Sequence, residues 1–346
     1  PIKTVLKNHR RRTILPVNLR YRPGKDLDMS TEMSLAKLSQ RLVPPILNSQ
    51  AATRFAALHP LAPAPAPFWM RRRFYLSTHG ALTWVTPKRP AAKFQQAHRP
   101  RKADPDTRPV LDPLLAPADT ALIYLHGGAY VQAMSAFQWN IVAGLTDRTS
   151  LPVLVVDYPL APAHCAQEAF ALVHAAIDYA QLLYRRVILV GDSAGGGLCA
   201  SLAMQRRDLS LSQVDGLILY SPWVDVTMTN PDIAPILPRD PMLGVPGVKW
   251  AGQVWAGKLA TKDPRISPLY GSFDRLPPMR VFAGSDDILT PDVVKFARRA
   301  LGAGVDVKLR FEPGAFHVYV AGGPLIPEAR RALDYSAQFI NQIRGL

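Results

Sequence analysis

The stretch Arg186-Val-Ile-Leu-Val-Gly-Asp-Ser-Ala-Gly195 decides the interpretation of this 346-residue chain. An apolar, β-rich run ends in Gly191-Asp192-Ser193-Ala194-Gly195, and a helical stretch follows. In a G-x-S-x-G turn between a strand and a helix, the serine occupies a bend so tight that only small neighbours fit. The helix start beyond it offers free N–H groups and a positive dipole end to a developing oxyanion. The pattern therefore predicts that Ser193 is a nucleophile.

The same glycines also permit a simpler interpretation, a Gly-rich strand–helix turn or a phosphate-binding loop. A P-loop requires Lys followed by Ser or Thr after its glycines, and that pair is absent here. The alternative of a phosphate loop is therefore disfavoured.

A second glycine loop, His126-Gly127-Gly128-Ala129-Tyr130, follows the apolar run Ala121–Leu125. Acyl transfer needs a further N–H directed at the oxyanion, and glycines allow the backbone to approach that point. Because the loop precedes the serine turn in an alternating strand–helix chain, we expect it to be the oxyanion partner of Ser193.

A serine nucleophile needs a base, and the base needs an orienting carboxylate. In a strand–turn–helix hydrolase these partners follow the serine, acid first and histidine last. His317 is the one histidine C-terminal to Ser193 among the eight in the chain. Either Asp286 or Asp287, after a predicted strand, could orient it. We expect the other aspartate to be a solvated loop charge or a helix cap.

Short apolar runs alternate with longer helical patterns from residue 120 onward. Runs buried on both faces and separated by helices predict a mostly parallel sheet covered by helices on both sides. The predicted strands are Ala121–Leu125, Val153–Val156, Val187–Val190, Leu217–Tyr220, Val281–Ala283 and Val307–Phe311. The predicted helices are Gln138–Thr149, Gln167–Leu183, Gly195–Arg206, Pro291–Leu301 and Pro327–Ile343, with two more at Ser30–Leu42 and Ile46–Leu58.

The basic charge of the chain is confined to its N-terminal third. Residues 1–110 hold 21 Lys and Arg against 5 Asp and Glu, so residues 111–346, with the other 20 and 21, are nearly neutral. Residues 1–29 therefore read as a basic tail rather than a nucleic-acid site, because no aromatics are interleaved with the charges. We expect residues 87–118 to be an exposed connection and no nucleic-acid partner.

Composition excludes several other classes of protein. Two cysteines, Cys165 and Cys199, give neither a disulfide framework nor a metal cluster, and both are expected to be buried small hydrophobes. No apolar run reaches the ~18–20 residues that a membrane span requires, and no secretory leader is visible. We therefore expect a cytoplasmic protein, with a homodimer as an option and with no metal or organic cofactor.

Several separate segments together resemble the hormone-sensitive-lipase-like family of α/β-hydrolase esterases over about residues 120–345. They are His126-Gly-Gly-Ala-Tyr130, Asp157-Tyr-Pro-Leu-Ala-Pro-Ala-His164, Gly191-Asp-Ser-Ala-Gly195, Ser221-Pro-Trp-Val-Asp225, Asp263-Pro-Arg-Ile-Ser-Pro268, Gly284-Ser-Asp-Asp-Ile-Leu289 and Gly314-Ala-Phe-His317. Two departures are Ala129 where a third glycine is usual and Cys165-Ala-Gln where a Pro-Phe-Pro run is common.

The resemblance implies an α/β-hydrolase fold and the roles of particular residues. In the family the acid directly precedes the apolar pair matching Ile288-Leu289, which selects Asp287 over Asp286. The implied catalytic residues are Ser193, Asp287 and His317, and the implied oxyanion donors are the N–H groups of Gly127, Gly128 and Ala194.

The resemblance also implies a helical cap and a reaction class. Residues 30–118 would supply the N-terminal cap helices and a connection, residues 119–346 the catalytic domain, and 226–262 a further part of the cap. The bulky side chains between Trp223 and Trp255 would be core filler or an apolar acyl pocket. The expected function is a serine carboxylesterase acting on short-to-medium acyl esters. The alternatives are a lipase, an amidase or peptidase using the same triad, or a non-catalytic small-molecule receptor.

Overall fold

The computed structural model describes residues 29–42, 47–59, 62–88 and 118–346. The predicted basic tail (1–29, except Met29) and most of the predicted connection (87–118) lie outside these ranges. Helices in the described ranges are α1 (Thr31–Leu42), α2 (Gln50–Leu58), α3 (Phe68–Arg73), α4 (Trp139–Thr149), α5 (Ala166–Leu183), α6 (Ala194–Asp208), α7 (Val245–Ala256), α8 (Thr290–Gly302) and α9 (Pro327–Arg344).

The described strands form one twisted sheet with a mostly parallel centre. They are β1 (Phe74–His79), β2 (Leu82–Pro87), β3 (Thr120–Leu125), β4 (Val153–Val156), β5 (Arg186–Asp192), β6 (Gly216–Tyr220), β7 (Met279–Asp286) and β8 (Val307–Phe316). Their order is β1-β2-β4-β3-β5-β6-β7-β8; β2 runs antiparallel to both of its neighbours, β1 and β4, and the other neighbouring pairs are parallel. The α/β sheet predicted from strand–helix alternation is thus confirmed.

The sheet is buried on both faces because its central strands are apolar throughout. All six residues of β3 and all four of β4 are buried. Two apolar clusters cover the faces, one packed under α5 and α6 and the other under α4 and α9. Since parallel strands end at one edge, the loops after β3, β5, β7 and β8 meet there.

The hairpin of β1 and β2 was missed by the sequence analysis, which assigned no structure to residues 68–86. Its strands are short and partly polar, and β1 is a half-exposed edge strand. The signal that could have revealed it is the two-residue turn Gly80-Ala81, since Gly80 has φ +58° and His79 pairs with Leu82.

The N-terminal helices attach to two different parts of the molecule. Helix α1 is fixed to α9, because the N–H and Oγ of Ser30 both donate to the carboxylate of Glu328, at 3.0 and 2.8 Å. Helix α2 lies against α7, where the absence of a side chain at Gly247 lets the carbonyl of Leu47 and the hydroxyl of Thr53 approach the backbone. Within the described ranges, none of the helices has the length and apolar character needed to cross a bilayer.

Candidate active site

Ser193 occupies the tight turn between β5 and α6. Its backbone has φ +52° and ψ −121°, a strained conformation for a residue with a side chain. The turn requires glycine at position 195, because a Cβ there would overlap the carbonyl of Leu125 on the neighbouring strand. The geometry predicted for the elbow is therefore present, and it lifts Ser193 out of the sheet at the carboxyl edge.

Ser193, His317 and Asp287 come together at this edge. Nε2 of His317 lies 2.9 Å from Oγ of Ser193, and Nδ1 lies 2.9 Å from Oδ2 of Asp287. The side chain of Asp287 is fully buried, and its other oxygen accepts the N–H of Leu289 at 2.9 Å. The ring is thus held from both sides in the arrangement that a nucleophile, base and orienting carboxylate require.

The electrostatic surroundings favour a basic imidazole. Burial lowers the pKa of His317, but the charge and hydrogen bond of Asp287 raise it, and the charges of Asp240 and Asp192 add to that effect. The pKa of His317 is consequently above the ordinary value for histidine. A proton taken from Ser193 would be stabilised on this ring.

The two candidate aspartates have different surroundings. Asp286 does not contact His317; its carboxylate accepts from Nζ of Lys37 and, at 2.9 Å, from Nε of Arg239. It is 5% exposed, so the prediction that the second aspartate is a solvated charge or helix cap is wrong. Two cations from other parts of the chain hold it inside the protein.

The glycine loop packs directly onto the serine turn. A Cβ at Gly127 would stand 2.8 Å from Cβ of Ser193, so only glycine fits. The N–H of Gly127, however, donates to Oδ1 of Asp192 at 3.1 Å. The expectation that Gly127 is an oxyanion donor does not fit this geometry, because its amide already has an acceptor.

Other amides of the two loops remain available. The N–H of Gly128 has no acceptor in the described part of the chain, and neither has that of Ala129. Ala194 is the first residue of α6, where a helix leaves its N–H groups without intrahelical acceptors. The oxyanion roles predicted for Gly128 and Ala194 are compatible with this arrangement and stay predictions, and Ala129 is a further candidate donor.

Asp192 joins the two loops through donors that sequence reasoning missed. Besides the N–H of Gly127, its carboxylate accepts from the hydroxyl of Tyr124 and, at 2.9 Å, from Nε2 of Gln138. Burial raises the pKa of Asp192, and the hydrogen bonds from Tyr124 and Gln138 only partly oppose that rise. The variable position of G-x-S-x-G could have directed attention to this carboxylate.

The large aromatic residues that follow β6 are buried against the glycine loop. The ring of Tyr130 stacks on Trp255 of α7, with centroids 4.0 Å apart, and on Trp223 at 5.5 Å. Trp223 and Trp255 are both 1% exposed, which favours the core interpretation over a pocket wall for these two side chains. Helix α7 is thereby packed against the loop that carries Gly128.

The two cysteines differ in exposure. Cys199 is fully buried in α6 as expected, whereas Cys165 is only partly buried and is the N-cap residue of α5. The N–H of Cys165 donates to Oε2 of Glu168 at 2.8 Å, which caps the helix without the Pro-Phe-Pro run. Among the described residues, no group of three or more His, Cys, Asp or Glu side chains could hold a metal ion.

Comparison with known proteins identifies a family model and relatives named as ester hydrolases. A family model described as alpha/beta hydrolase fold matches residues 122–321, more than half of the chain. An esterase of Acinetobacter venetianus is 31% identical over 236 residues, covering 66% of this chain and 77% of that protein. An ethyl acetate hydrolase of Pseudomonas putida is 31% identical over 243 residues, covering 67% and 75%.

A solved structure shares the fold over nearly the whole chain. The crystal structure of an esterase from the bacterial hormone-sensitive lipase family aligns with a TM-score of 0.70 at 22% identity. The alignment covers 91% of this chain and 99% of that one. The fold derived above from the strand order is therefore shared with this structure.

Proposed function

Since this chain belongs to the α/β-hydrolase family, in its hormone-sensitive-lipase-like branch, we propose that it is a carboxylesterase that forms an acyl-enzyme on Ser193. The observation that carries the proposal is the pair of 2.9 Å contacts that link Ser193 to His317 and His317 to Asp287. The names of the relatives, an esterase and an ethyl acetate hydrolase, support an ester as the substrate.

In the proposed first step, Oγ of Ser193 attacks the ester carbonyl while Nε2 of His317 takes the hydroxyl proton. Asp287 holds the ring so that Nδ1 keeps its hydrogen and stabilises the imidazolium. The negative charge moves to the carbonyl oxygen, where the N–H groups of Gly128 and Ala194 would donate to it. His317 then passes its proton to the leaving alcohol.

In the second step, water replaces the alcohol. His317 removes a proton from the water, whose oxygen attacks the acyl carbonyl, and the proton returns to Oγ of Ser193 as the acid leaves. We propose short-to-medium acyl esters as substrates, because Ser193 is 7% exposed and the rings of Tyr130, in the glycine loop, and Trp255 are packed together.

The segments proposed as the cap are residues 30–58, which include α1 and α2, and residues 226–262. Their mutual packing at Gly247, and the contact of Trp255 with Tyr130, support a shared cover over the glycine loop. Cytoplasmic location and a homodimer stay predictions from the sequence; for location, two unpaired cysteines, Cys165 and Cys199, are the supporting observation.

The proposal is tested by labelling with a fluorophosphonate and by hydrolysis of p-nitrophenyl esters from acetate to decanoate. Wild-type protein should be labelled on Ser193 and should release p-nitrophenol with an initial burst. Ser193→Ala should abolish labelling and lower kcat by roughly 10⁴–10⁶, leaving only oxyanion and binding effects.

Ser221→Ala is a suitable control, because its hydroxyl accepts the N–H of Val318 at 3.1 Å and, within the described residues, forms no hydrogen bond with Ser193. Labelling of this variant should persist. Ester turnover by Ser193→Ala at more than a hundredth of the wild-type rate would refute the assignment of the nucleophile.

A further inference from the structure

Asp240 brings a third carboxylate to the acid side of the triad, from a segment far away in the sequence. It lies between β6 and β7, within the region proposed as cap. Its Oδ2 accepts the N–H of Ile288 at 2.9 Å, the residue directly after Asp287. Its Oδ1 accepts the N–H groups of Met242 and Leu243, at 2.8 and 2.9 Å.

These bonds make one side chain a link between two loops. The oxygen facing Met242 and Leu243 closes the turn that precedes α7. The oxygen facing Ile288 fixes the peptide that follows Asp287, and the next peptide, at Leu289, donates to Asp287 itself. A displacement of Asp240 would therefore change the position of the carboxylate that orients His317.

The charged groups that affect the pKa of Asp240 belong to the triad. Burial raises the pKa of Asp240 to about 6, and the charge of Asp287 adds to the rise, while the N–H of Ile288 and the charge of His317 oppose it. In return, the charge of Asp240 raises the pKa of His317, after the larger effects of burial and Asp287.

Two nearby cations bind the carboxylate of a different aspartate. Arg239 and Lys37 both bind Asp286. Arg41 and Asp240 both line a cavity of about 410 Å³, between the end of α1 and residues 240–246. Asp240 thus lies at the wall of a cavity, and its pKa of about 6 leaves it charged at neutral pH.

We propose that Asp240 is a positioning residue for the catalytic acid: it holds the Asp287 turn through Ile288 and supports the protonated form of His317. The inference rests on the proposed function, since it assigns Asp287 and His317 their catalytic roles. In this proposal, the segment assigned to the cap does more than cover the site, because its Asp240 supplies a negative charge that stabilises the imidazolium of His317.

The test is the pH dependence of kcat/KM for p-nitrophenyl butyrate with Asp240→Asn. Asparagine preserves the shape but removes the charge and one acceptor. The plateau should fall about tenfold, because the acid turn is less well held. The acid limb should move to lower pH by about 0.5–1 unit, because His317 loses a neighbouring negative charge.

Asp225→Asn is the matched control. Asp225 is also a buried aspartate of the segment after β6, and it accepts the N–H of Thr227 at 2.9 Å and the hydroxyl of Tyr270 at 2.7 Å. A purely structural role for Asp240 would give both variants the same lower Tm and an unmoved acid limb. Only a positioning role predicts a shifted limb for Asp240→Asn alone.

Asp240→Glu supplies a second variant in case the first folds poorly. It keeps the charge on a longer side chain, so the acid limb should stay within about 0.2 units of wild type while kcat falls. An unmoved limb in Asp240→Asn, or equal shifts in Asn and Glu variants, would overturn the inference. Wild-type protein without esterase activity or labelling would instead refute the proposed function, so the two failures are distinguishable.

Discussion

The two sides of the Ser193–His317–Asp287 cluster are each built on a buried aspartate, but different donors hold them. On the nucleophile side, the donors to Asp192 among the described residues are the neutral groups of Tyr124, Gln138 and Gly127. On the acid side, Asp286 accepts from the cations of Lys37 and Arg239. We refer to these two arrangements as the neutral side and the ionic side.

The two arrangements shift the pKa values of their carboxyl groups in opposite directions. Burial is the largest influence on both and raises the pKa of each carboxyl. On the neutral side, hydrogen bonds do not overcome it, and the pKa of Asp192 stays raised. On the ionic side, Lys37 and Arg239 overcome it, and the pKa of Asp286 is lowered. For these two carboxylates, the opposing charges offset the loss of water and the neutral donors do not.

The largest expected effect separates the two adjacent aspartates of the ionic side. Asp287→Asn should lower kcat for p-nitrophenyl acetate by about 10³–10⁴, because the amide cannot stabilise the imidazolium and favours the wrong tautomer. Asp286→Asn should lower kcat by less than about tenfold, because Asp286 does not contact His317. Comparable losses in the two variants would show that the ionic side acts as one unit.

The second-largest expected effect is the dependence of wild-type activity on pH. Only neutral His317 can act as the base, and its pKa is raised above the ordinary histidine value of about 6.5. Activity should therefore decline as pH falls through that raised value, with kcat/KM decreasing about tenfold per pH unit below it. A profile that is flat from pH 5 to 8 would contradict the assignment of His317.

A smaller effect is expected on the neutral side. Asp192→Asn offers one acceptor oxygen where three donors meet, so the amide of Gly127 or Gln138 loses its acceptor. The glycine loop should then shift, and kcat should fall about 10–100-fold with little change in KM. We would measure both constants with p-nitrophenyl acetate.

Gln138→Ala is the milder companion to this variant, because it removes one neutral donor and leaves the acceptors of Asp192 in place. Its kcat should lie between those of Asp192→Asn and wild type. Full activity in both variants would mean that the loop is held by packing, such as the stacking of Tyr130 on Trp255, and not by Asp192.

The neutral side was the easier of the two to predict from the sequence. Its loops follow strands directly, so a short motif such as Gly191–Gly195 fixes both the turn and the side chain it presents. The six predicted strands are all present, and each lies within an observed strand. Two features escaped prediction, the donors Tyr124 and Gln138 to Asp192 and the direction of the Gly127 N–H, because a motif specifies residues but not their hydrogen-bond partners.

The ionic side could not be predicted, because its supports come from remote segments. Lys37 is 249 residues from Asp286, Arg239 is 47, and Asp240 is 48 from Ile288. Nothing in the local pattern of an amphipathic helix indicates which of its lysines will reach a particular carboxylate. Sequence reasoning therefore identified the acid, with help from the family resemblance, but not the groups that hold its turn.

The smallest expected effect tests whether the ionic side contributes to stability. The lowered pKa of Asp286 means that its carboxylate stabilises the folded chain above the unfolded pKa of about 3.9, and that this contribution is lost as pH falls through the lower folded value. Asp286→Asn should reduce the free energy of unfolding in urea by about 1–3 kcal/mol at pH 7, a value between those of exposed and buried pairs because Arg239 is partly in solvent. The difference from wild type should shrink toward pH 3. If it were equally large at pH 3 and pH 7, the loss would come from packing and not from charge, and the ionic side would differ from the neutral side in composition only.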